Sequence, residues 1–395
     1  MLTLATKPAL ALAYFAYFGV LGLFVPYFGL FLDGRGLSSA QIGLLLALVT
    51  ATRIVGPALW GTLADKTARP LSIMRFGAII AILAWCSSFV DAGFWPLLAG
   101  FALFSFFWTA ILPQLEVCTF HALNDDAGAY SRIRTSGSVG YIILVLLGGY
   151  LFQRFGSEFM PATALLFLGL LLLSLFKLPP LPKLSASQQV HLSWRQLFKS
   201  KVLWLFMGAA LMLQMSFAPY YGFFTLYCRD LGYSGTVTGL LIGVAVAAEI
   251  VAFYFAGRIL GRFRLGHLLA ACYGLTALRW LIVAYLGDQP LVLAASMLLH
   301  AGSFAIAHSG AMQFIQQFFP KAQRGRGQAF YAGIIYGGGG AIGAYIAGIS
   351  WRDGAGASAT FTLAALAAAI AMLLALSLPR TMPRADDKAA NINTP

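Results

Sequence analysis

Twelve runs of mostly apolar residues follow one another along the chain, separated by short clusters of charge, glycine and proline. A run of about 20 such residues spans the hydrocarbon core of a bilayer as an α-helix, which satisfies its own backbone hydrogen bonds where no water can. The runs fall at 9–32, 40–63, 71–90, 95–120, 130–153, 159–177, 202–227, 236–257, 265–286, 290–318, 327–349 and 356–378. A soluble multidomain alternative fails on charge: of 395 residues only 10% are charged and 60% are apolar, against about 25% charged in soluble domains. The first run is too long and too rich in aromatics and glycine for a signal segment, and no small-residue cleavage site follows it, so it reads as a spanning helix. The fold class expected is an all-α polytopic membrane protein.

An even number of spans puts both termini on one side. Of the 26 Lys and Arg, 20 fall in the termini and connections of that side. Four lie on the other (Arg35, Arg154, Arg229 and Arg352), while Arg53 and Arg279 lie inside runs. Cytoplasmic connections carry such an excess, so both termini are expected in the cytoplasm, with the chain in a bacterial-type inner membrane. The same asymmetry accounts for the net charge of +13 and removes the reason to invoke nucleic acid. Residues 178–201, with Pro179, Pro180 and Pro182, read as a cytoplasmic linker. The expected organisation is a six-helix bundle at 1–177, the linker, a second bundle at 202–379 and a polar cytoplasmic tail at 380–395.

The two halves repeat. Ile42-Gly43-Leu44-Leu45 opens run 2 and Gly61 ends it; Thr238-Gly239-Leu240-Leu241 opens run 8 and Gly257 ends it, each glycine shifted by 196. Pro26-Tyr27-Phe28-Gly29 in run 1 is echoed by Pro219-Tyr220-Tyr221-Gly222 in run 7. Repeats of this kind are common in secondary transporters, whose substrate sites lie at the repeat interface near the midplane. After run 2 comes Gly61-Thr62-Leu63-Ala64-Asp65-Lys66-Thr67-Ala68-Arg69-Pro70. It resembles the G-x-L-A-D-[RK]-x-x-R-[KP] loop of the major facilitator superfamily. The counterpart after run 8, Gly257-Arg258-Ile259-Leu260-Gly261-Arg262-Phe263, is degenerate. The resemblance implies two pseudo-symmetric six-helix bundles, and makes Gly61, Asp65, Lys66 and Arg69 a cytoplasmic gate.

A nearer resemblance, to the branch holding the phenylpropionate and lactose permeases, runs through most of the chain. Pro113-Gln114-Leu115-Glu116 is similar to the P-x-x-E of lactose permease. Ser131-Arg132-Ile133-Arg134-Thr135-Ser136-Gly137-Ser138-Val139-Gly140-Tyr141 is similar to its G-R-x-R-x-x-G-x-V-G-W, with Tyr141 where that permease stacks a tryptophan on sugar. Leu278-Arg279 and Leu299-His300 fall where it has an arginine and a histidine. Three residues after that histidine the permease has a glutamate resembling the proton site; here stands Ser303. Leu299-His300-Ala301-Gly302-Ser303-Phe304, followed by His308, looks more like the phenylpropionate permeases.

A charge at the centre of a spanning helix costs about 2.5–3.5 kcal/mol on insertion scales and is kept where it meets a partner or a water-filled path. The exceptional residues are Arg53, Glu116, Arg134, Glu249, Arg279, His300 and His308. At a rise of about 1.5 Å per residue, Arg53, Glu249, Arg279 and His300 all come within about 13–20 Å of one membrane face or the other, a convergence in depth. Glu116 and Arg134 each stand nine residues from Asp125, so as antiparallel neighbours they are expected to meet, either as a charge pair lining a cavity or as a structural salt bridge. His308 reads equally as a proton carrier or as a neutral histidine bonded to a neighbouring helix.

Nothing points to an enzyme, a cofactor or a metal. Gly338 to Gly343 formally matches G-x-G-x-x-G but sits inside run 11 with no preceding strand. Cys86, Cys118, Cys228 and Cys272 show no ligand spacing. The expected function is a monomeric secondary transporter in the lipid bilayer. It imports a small organic substrate with protons, and the resemblance implies an aromatic carboxylate such as 3-phenylpropionate. A sugar or nucleoside symporter and a drug-efflux antiporter are the alternatives.

Overall fold

The computed structural model describes residues 6–123, 126–179, 198–320 and 323–379. Most of the expected linker, the whole of the expected tail, and Asp125 lie outside the described residues. Twelve helices are long and apolar enough to cross a membrane: α1 Thr6–Gly34, α2 Ser39–Thr67, α3 Pro70–Phe89, α4 Phe94–Ala122, α5 Gly128–Phe155, α6 Ser157–Phe176, α7 Lys201–Asp230, α8 Gly235–Arg262, α9 Leu265–Leu286, α10 Pro290–Phe318, α11 Arg324–Gly354 and α12 Ala357–Leu376. Among the described residues there is no strand. The chain is a multi-pass, all-helical membrane protein.

Local chemistry sets the helix ends. Ser38 caps α2 in a reciprocal box: its Oγ accepts from the Gln41 N–H at 3.4 Å, and Gln41 Oε1 accepts from the Ser38 N–H at 3.0 Å. Asp126 caps α5 by accepting from the N–H groups of Gly128 and Ala129 at 2.9 and 3.0 Å. Those donors favour the ionised form and hold its carboxyl below the usual range, the Ala129 bond contributing most. Large apolar side chains such as Leu166, Tyr254 and Leu291 remain exposed along the spans, as lipid-facing surfaces require.

Three spans are irregular inside. Helix α4 unwinds at Thr109–Ile111, just before Pro113, which has no N–H to offer the Thr109 carbonyl. Helix α10 passes through a π-helical turn at Ala301–Ile306, and α11 through another at Ala332–Gly339. Helix α11 then ends on Arg352 and Asp353, both left-handed at φ 49° and 50°.

The helices gather into two compact units. One comprises the described residues within Met1–Ala186, Tyr220–Gly243 and Ala344–Gly354; the other comprises those within Ser187–Pro219, Val244–Gly343 and Ala355–Pro395. In the first unit, the end bearing the α1–α2 turn is drawn tight by glycines. A Cβ on Gly29 would strike the Gly222 carbonyl, one on Gly43 the Cα of Gly348, and one on Gly149 the Gly235 carbonyl. Polar bonds ring these crossings. Thr225 Oγ1 donates to the Pro26 carbonyl at 2.7 Å, Arg229 pairs with Asp33, and the Thr236 N–H donates to Gln153 Oε1 at 3.0 Å. Asp353 Oδ1 accepts from the Ser39 N–H at 2.8 Å while its own N–H donates to Ser39 Oγ at 3.1 Å. Gly43→Val is therefore expected to force α2 off Gly348. A membrane-impermeant maleimide should label a cysteine placed at Leu37, now 8% exposed, several-fold faster in that variant. Unchanged labelling would mean that the crossing gives way elsewhere.

The second unit has its own core, in which Phe206 stacks on Phe314 at 3.8 Å between ring centres and Tyr273, Ile315 and Ala371 close the packing.

Candidate functional site

Three of the seven membrane-embedded ionisable residues come together in the second unit. Arg279 of α9 is fully buried. Its guanidinium lies 4.5 Å from the Trp280 ring centre, and one NH2 donates to His300 Nδ1 at 2.8 Å while the other reaches Met297 Sδ at 3.5 Å. The far nitrogen of the same imidazole, His300 Nε2, stands 3.5 Å from Glu249 Oε2. Phe217 packs edge-on against both Trp280 and His300, and the Trp280 indole N–H donates to Ser216 Oγ at 3.2 Å.

The direction of this chain follows from its first member. A guanidinium has only donors, so His300 Nδ1 must accept, and the imidazole proton sits on Nε2, facing Glu249. His300 cannot carry a second proton without losing its bond to Arg279. Glu249 is the last member of the chain. It is also the most accessible, with 20% of its side chain exposed against 5% for His300.

Below this trio on α10 the aromatic rings form a ladder. His300 stacks on Phe304 at 5.4 Å and Phe304 on His308 at 6.0 Å, with interplanar angles of 18° and 7°. Four residues of α-helix overshoot a full turn by about 40°, which would fan such rings apart. The π-helical turn between them widens the helix and brings residues 300, 304 and 308 into line. His308 Nδ1 and the Tyr336 hydroxyl, from the π-helical turn of α11, are 2.8 Å apart.

The first unit holds the other three. Arg53 is the fifteenth of the 29 residues of α2, at its centre. It is half-buried and forms no ion pair or hydrogen bond among the described residues. Arg134 of α5 lies over the Phe18 ring at 3.9 Å and near Tyr14 at 5.6 Å. Glu116 of α4 is within electrostatic range of Arg134, with the Tyr130 hydroxyl beside its carboxylate. The expected direct contact of Glu116 with Arg134 is absent: no ion pair joins them, because the guanidinium turns to the face of Phe18. The Tyr17 hydroxyl is in electrostatic range of all three charges, and its ring stacks on Trp108 at 4.3 Å. The indole N–H of Trp108 is buried, with the Tyr17 hydroxyl beside it. Tyr141 is half-buried on α5, and its carbonyl is where a Cβ on Gly22 would fall, 2.6 Å away.

The gate residues stand apart. Asp65, Lys66 and Arg69 are exposed and form no ion pair among the described residues; Gly61 faces open space. Among the described residues, no three His, Cys, Asp or Glu side chains gather as metal ligands would.

Sequence reasoning names the charges and misses their partners. Tyr17, Phe18, Trp280 and Tyr336 carry no signal of their own in apolar runs full of aromatics. Depth puts Arg53 level with Glu249, Arg279 and His300, but the structure assigns Arg53 to the other unit.

Comparison with known proteins adds the context. A family profile described as "MFS_1 like family" matches residues 8–363. A probable 3-phenylpropionic acid transporter of Escherichia coli K12 is 29% identical over 351 residues, covering 87% of this chain and 90% of that protein. A maltose permease of Geobacillus stearothermophilus is 26% identical over 343 residues, covering 84% of each. The solved nucleoside transporter NupG shares the fold, with a TM-score of 0.80 at 18% identity over 94% of this chain and 98% of that one.

Proposed function

The chain belongs to the MFS_1-like family and is a transporter, not an enzyme, and from that premise we propose that it imports a small aromatic carboxylate together with protons. Arg53 carries this reading. A guanidinium at the centre of a spanning helix, with no carboxylate of its own, is costly unless an anion visits it. It matches a carboxylate through two parallel bonds. Arg134 supports it in the same unit, where two cations stand against the single Glu116 and aromatic rings, Tyr17 and Phe18, lie among them. Arg279, the other cation placed inside a span by the sequence, is occupied by His300 and sealed from solvent. It serves the proton side instead.

Glu249 is the proton carrier on this proposal. Ionised, it balances Arg279 through the neutral His300; protonated, it leaves the trio with one positive charge. Loading one proton and one carboxylate adds no net charge to the membrane interior, and that is what couples the two. Asp65, Lys66 and Arg69 serve as the cytoplasmic gate, with both termini on the cytoplasmic side of the inner membrane and one chain as the working unit. A neutral sugar or nucleoside is the second reading, favoured by the maltose permease relative and by the likeness to NupG.

The test is uptake into vesicles under an imposed inward proton gradient, across aromatic carboxylates, sugars and nucleosides. Accumulation of an aromatic carboxylate above the outside concentration, lost when a protonophore collapses the gradient, is the expected outcome. Accumulation that survives the protonophore removes the proton coupling, and accumulation of sugars or nucleosides alone selects the second reading.

A further inference from the structure

The second copy of the loop motif leads to a cavity that none of the seven membrane-embedded ionisable residues lines. The 196-residue shift that carries Gly61 to Gly257 carries Lys66 to Arg262 and Asp65 to Gly261. The base is kept and the acid is gone. Ten residues, Arg258 to His267, hold three arginines and a histidine with no carboxylate between them. None of Arg258, Arg262 and Arg264 forms an ion pair among the described residues.

This basic stretch has a concavity built into it. Arg264 and His267 line a cavity of about 220 Å³, whose other walls are Gln313 and Gln317 of α10 and Leu378 and Pro379 beyond α12. Among the described residues, no acidic side chain enters the lining. The floor is fixed by close packing: a Cβ on Gly266 would lie 3.2 Å from the Ala375 carbonyl and 3.3 Å from Leu378 Cβ. Gln313 brings a buried carboxamide oxygen that has no hydrogen-bond partner among the described residues. Turned over, a change that leaves its shape the same, that carboxamide offers donors. The cavity thus presents a guanidinium, an imidazole and two carboxamides, a set that suits a ligand of negative charge and many acceptor oxygens. Next to Arg264, Phe263 is 56% exposed, an apolar neighbour at a helix end, where spanning helices meet the headgroup layer.

We propose that this cavity binds a phosphate group, presented by an anionic phospholipid headgroup. Basic clefts between helix ends on the cytoplasmic side hold such headgroups through charge and multiple hydrogen bonds. The exposed Phe263 favours a lipid over a free ion, since a phosphate diester arrives there with its acyl chains beside it.

The experiment measures thermal unfolding of the purified full chain in detergent with added phosphatidylglycerol, phosphatidylcholine or inorganic phosphate. The expected result is a rise of several degrees in Tm with phosphatidylglycerol and none with phosphatidylcholine. The rise should persist in Arg258→Gln, a neighbouring arginine that does not line the cavity, and disappear in Arg264→Gln/His267→Gln. Native mass spectrometry should show phosphatidylglycerol retained by the parent and by Arg258→Gln, and lost from the double variant. Arg264→Lys, which keeps the charge, supplies a folded comparison if the double variant is unstable, and should retain less lipid than the parent. Inorganic phosphate giving the same variant-sensitive rise supports the phosphate site and overturns its lipid source. A rise shared by the parent and the double variant, or no rise with either phosphate source, overturns the proposal.

Discussion

Glu249→Gln is expected to abolish accumulation of substrate against a gradient while leaving exchange of substrate across the membrane near the parent rate. Glutamine keeps the size and the hydrogen-bonding shape of the protonated carboxyl, so the substrate-loaded protein can still cycle. It cannot release a proton, so the gradient no longer drives net movement. The hydrogen-bond order narrows the choice to this residue: Arg279 donates to His300 Nδ1, His300 turns Nε2–H toward Glu249, and Ser303 has no acid to offer where a related permease has its glutamate. Counterflow and uphill uptake measured on the same vesicles separate the two steps. Uphill uptake by Glu249→Gln at the parent level would move the proton elsewhere, with His308 and its Tyr336 partner next in line. Loss of both activities would instead make the Arg279–His300–Glu249 chain a structural pairing.

Arg53→Ala should weaken transport of anionic substrates by about 10- to 150-fold in apparent KM, the span that corresponds to about 1.5–3 kcal/mol for a hydrogen bond to a charged group. Neutral analogues of the same ring should lose little. The contrast follows from the surroundings of Arg53: with no ion pair to break, its removal leaves no orphaned carboxylate and should not unfold the unit. Arg53→Lys tests the geometry, because a lysine keeps the charge and loses the two-bond fork. Equal losses for an acid and its amide in Arg53→Ala would reduce the residue to a general electrostatic role.

The long-wavelength features of this fold are legible in the amino-acid sequence. Hydropathy depends on run length, and each of the twelve apolar runs corresponds to a spanning helix, 9–32 to Thr6–Gly34 and 130–153 to Gly128–Phe155 among them. What happens inside a span is not legible in this way. Pro113 is a visible sign that α4 breaks, but the π-helical turns of α10 and α11 contain no proline, and an apolar run looks the same with or without an extra residue in a turn. For the candidate site, the cost of burying charge makes Arg53, Glu116, Glu249 and Arg279 conspicuous. Which of them touch depends on helix rotation, a quantity that depth does not contain. Glu116 and Arg134 have matching depth and are near each other, yet the preference of a guanidinium for the Phe18 face decides their contact.

The π-helical turn in α10 makes the helix a device with two phases. Up to His300 the side chains keep time with the half of the span that begins at Pro290; after Ile306 they keep time with the half that ends at Phe318. The turn between is the slip that joins them. The six residues of the wide turn lag an α-helix by about one residue's 100°, so deleting one of them would restore a continuous α-helix and leave the half beyond facing as it does now. His308 would keep Tyr336, His300 and Arg279 would be undisturbed, and only the rings inside the turn, Phe304 among them, would change direction. An added residue is thus absorbed where it enters, and the groups on either side of it hold their aim.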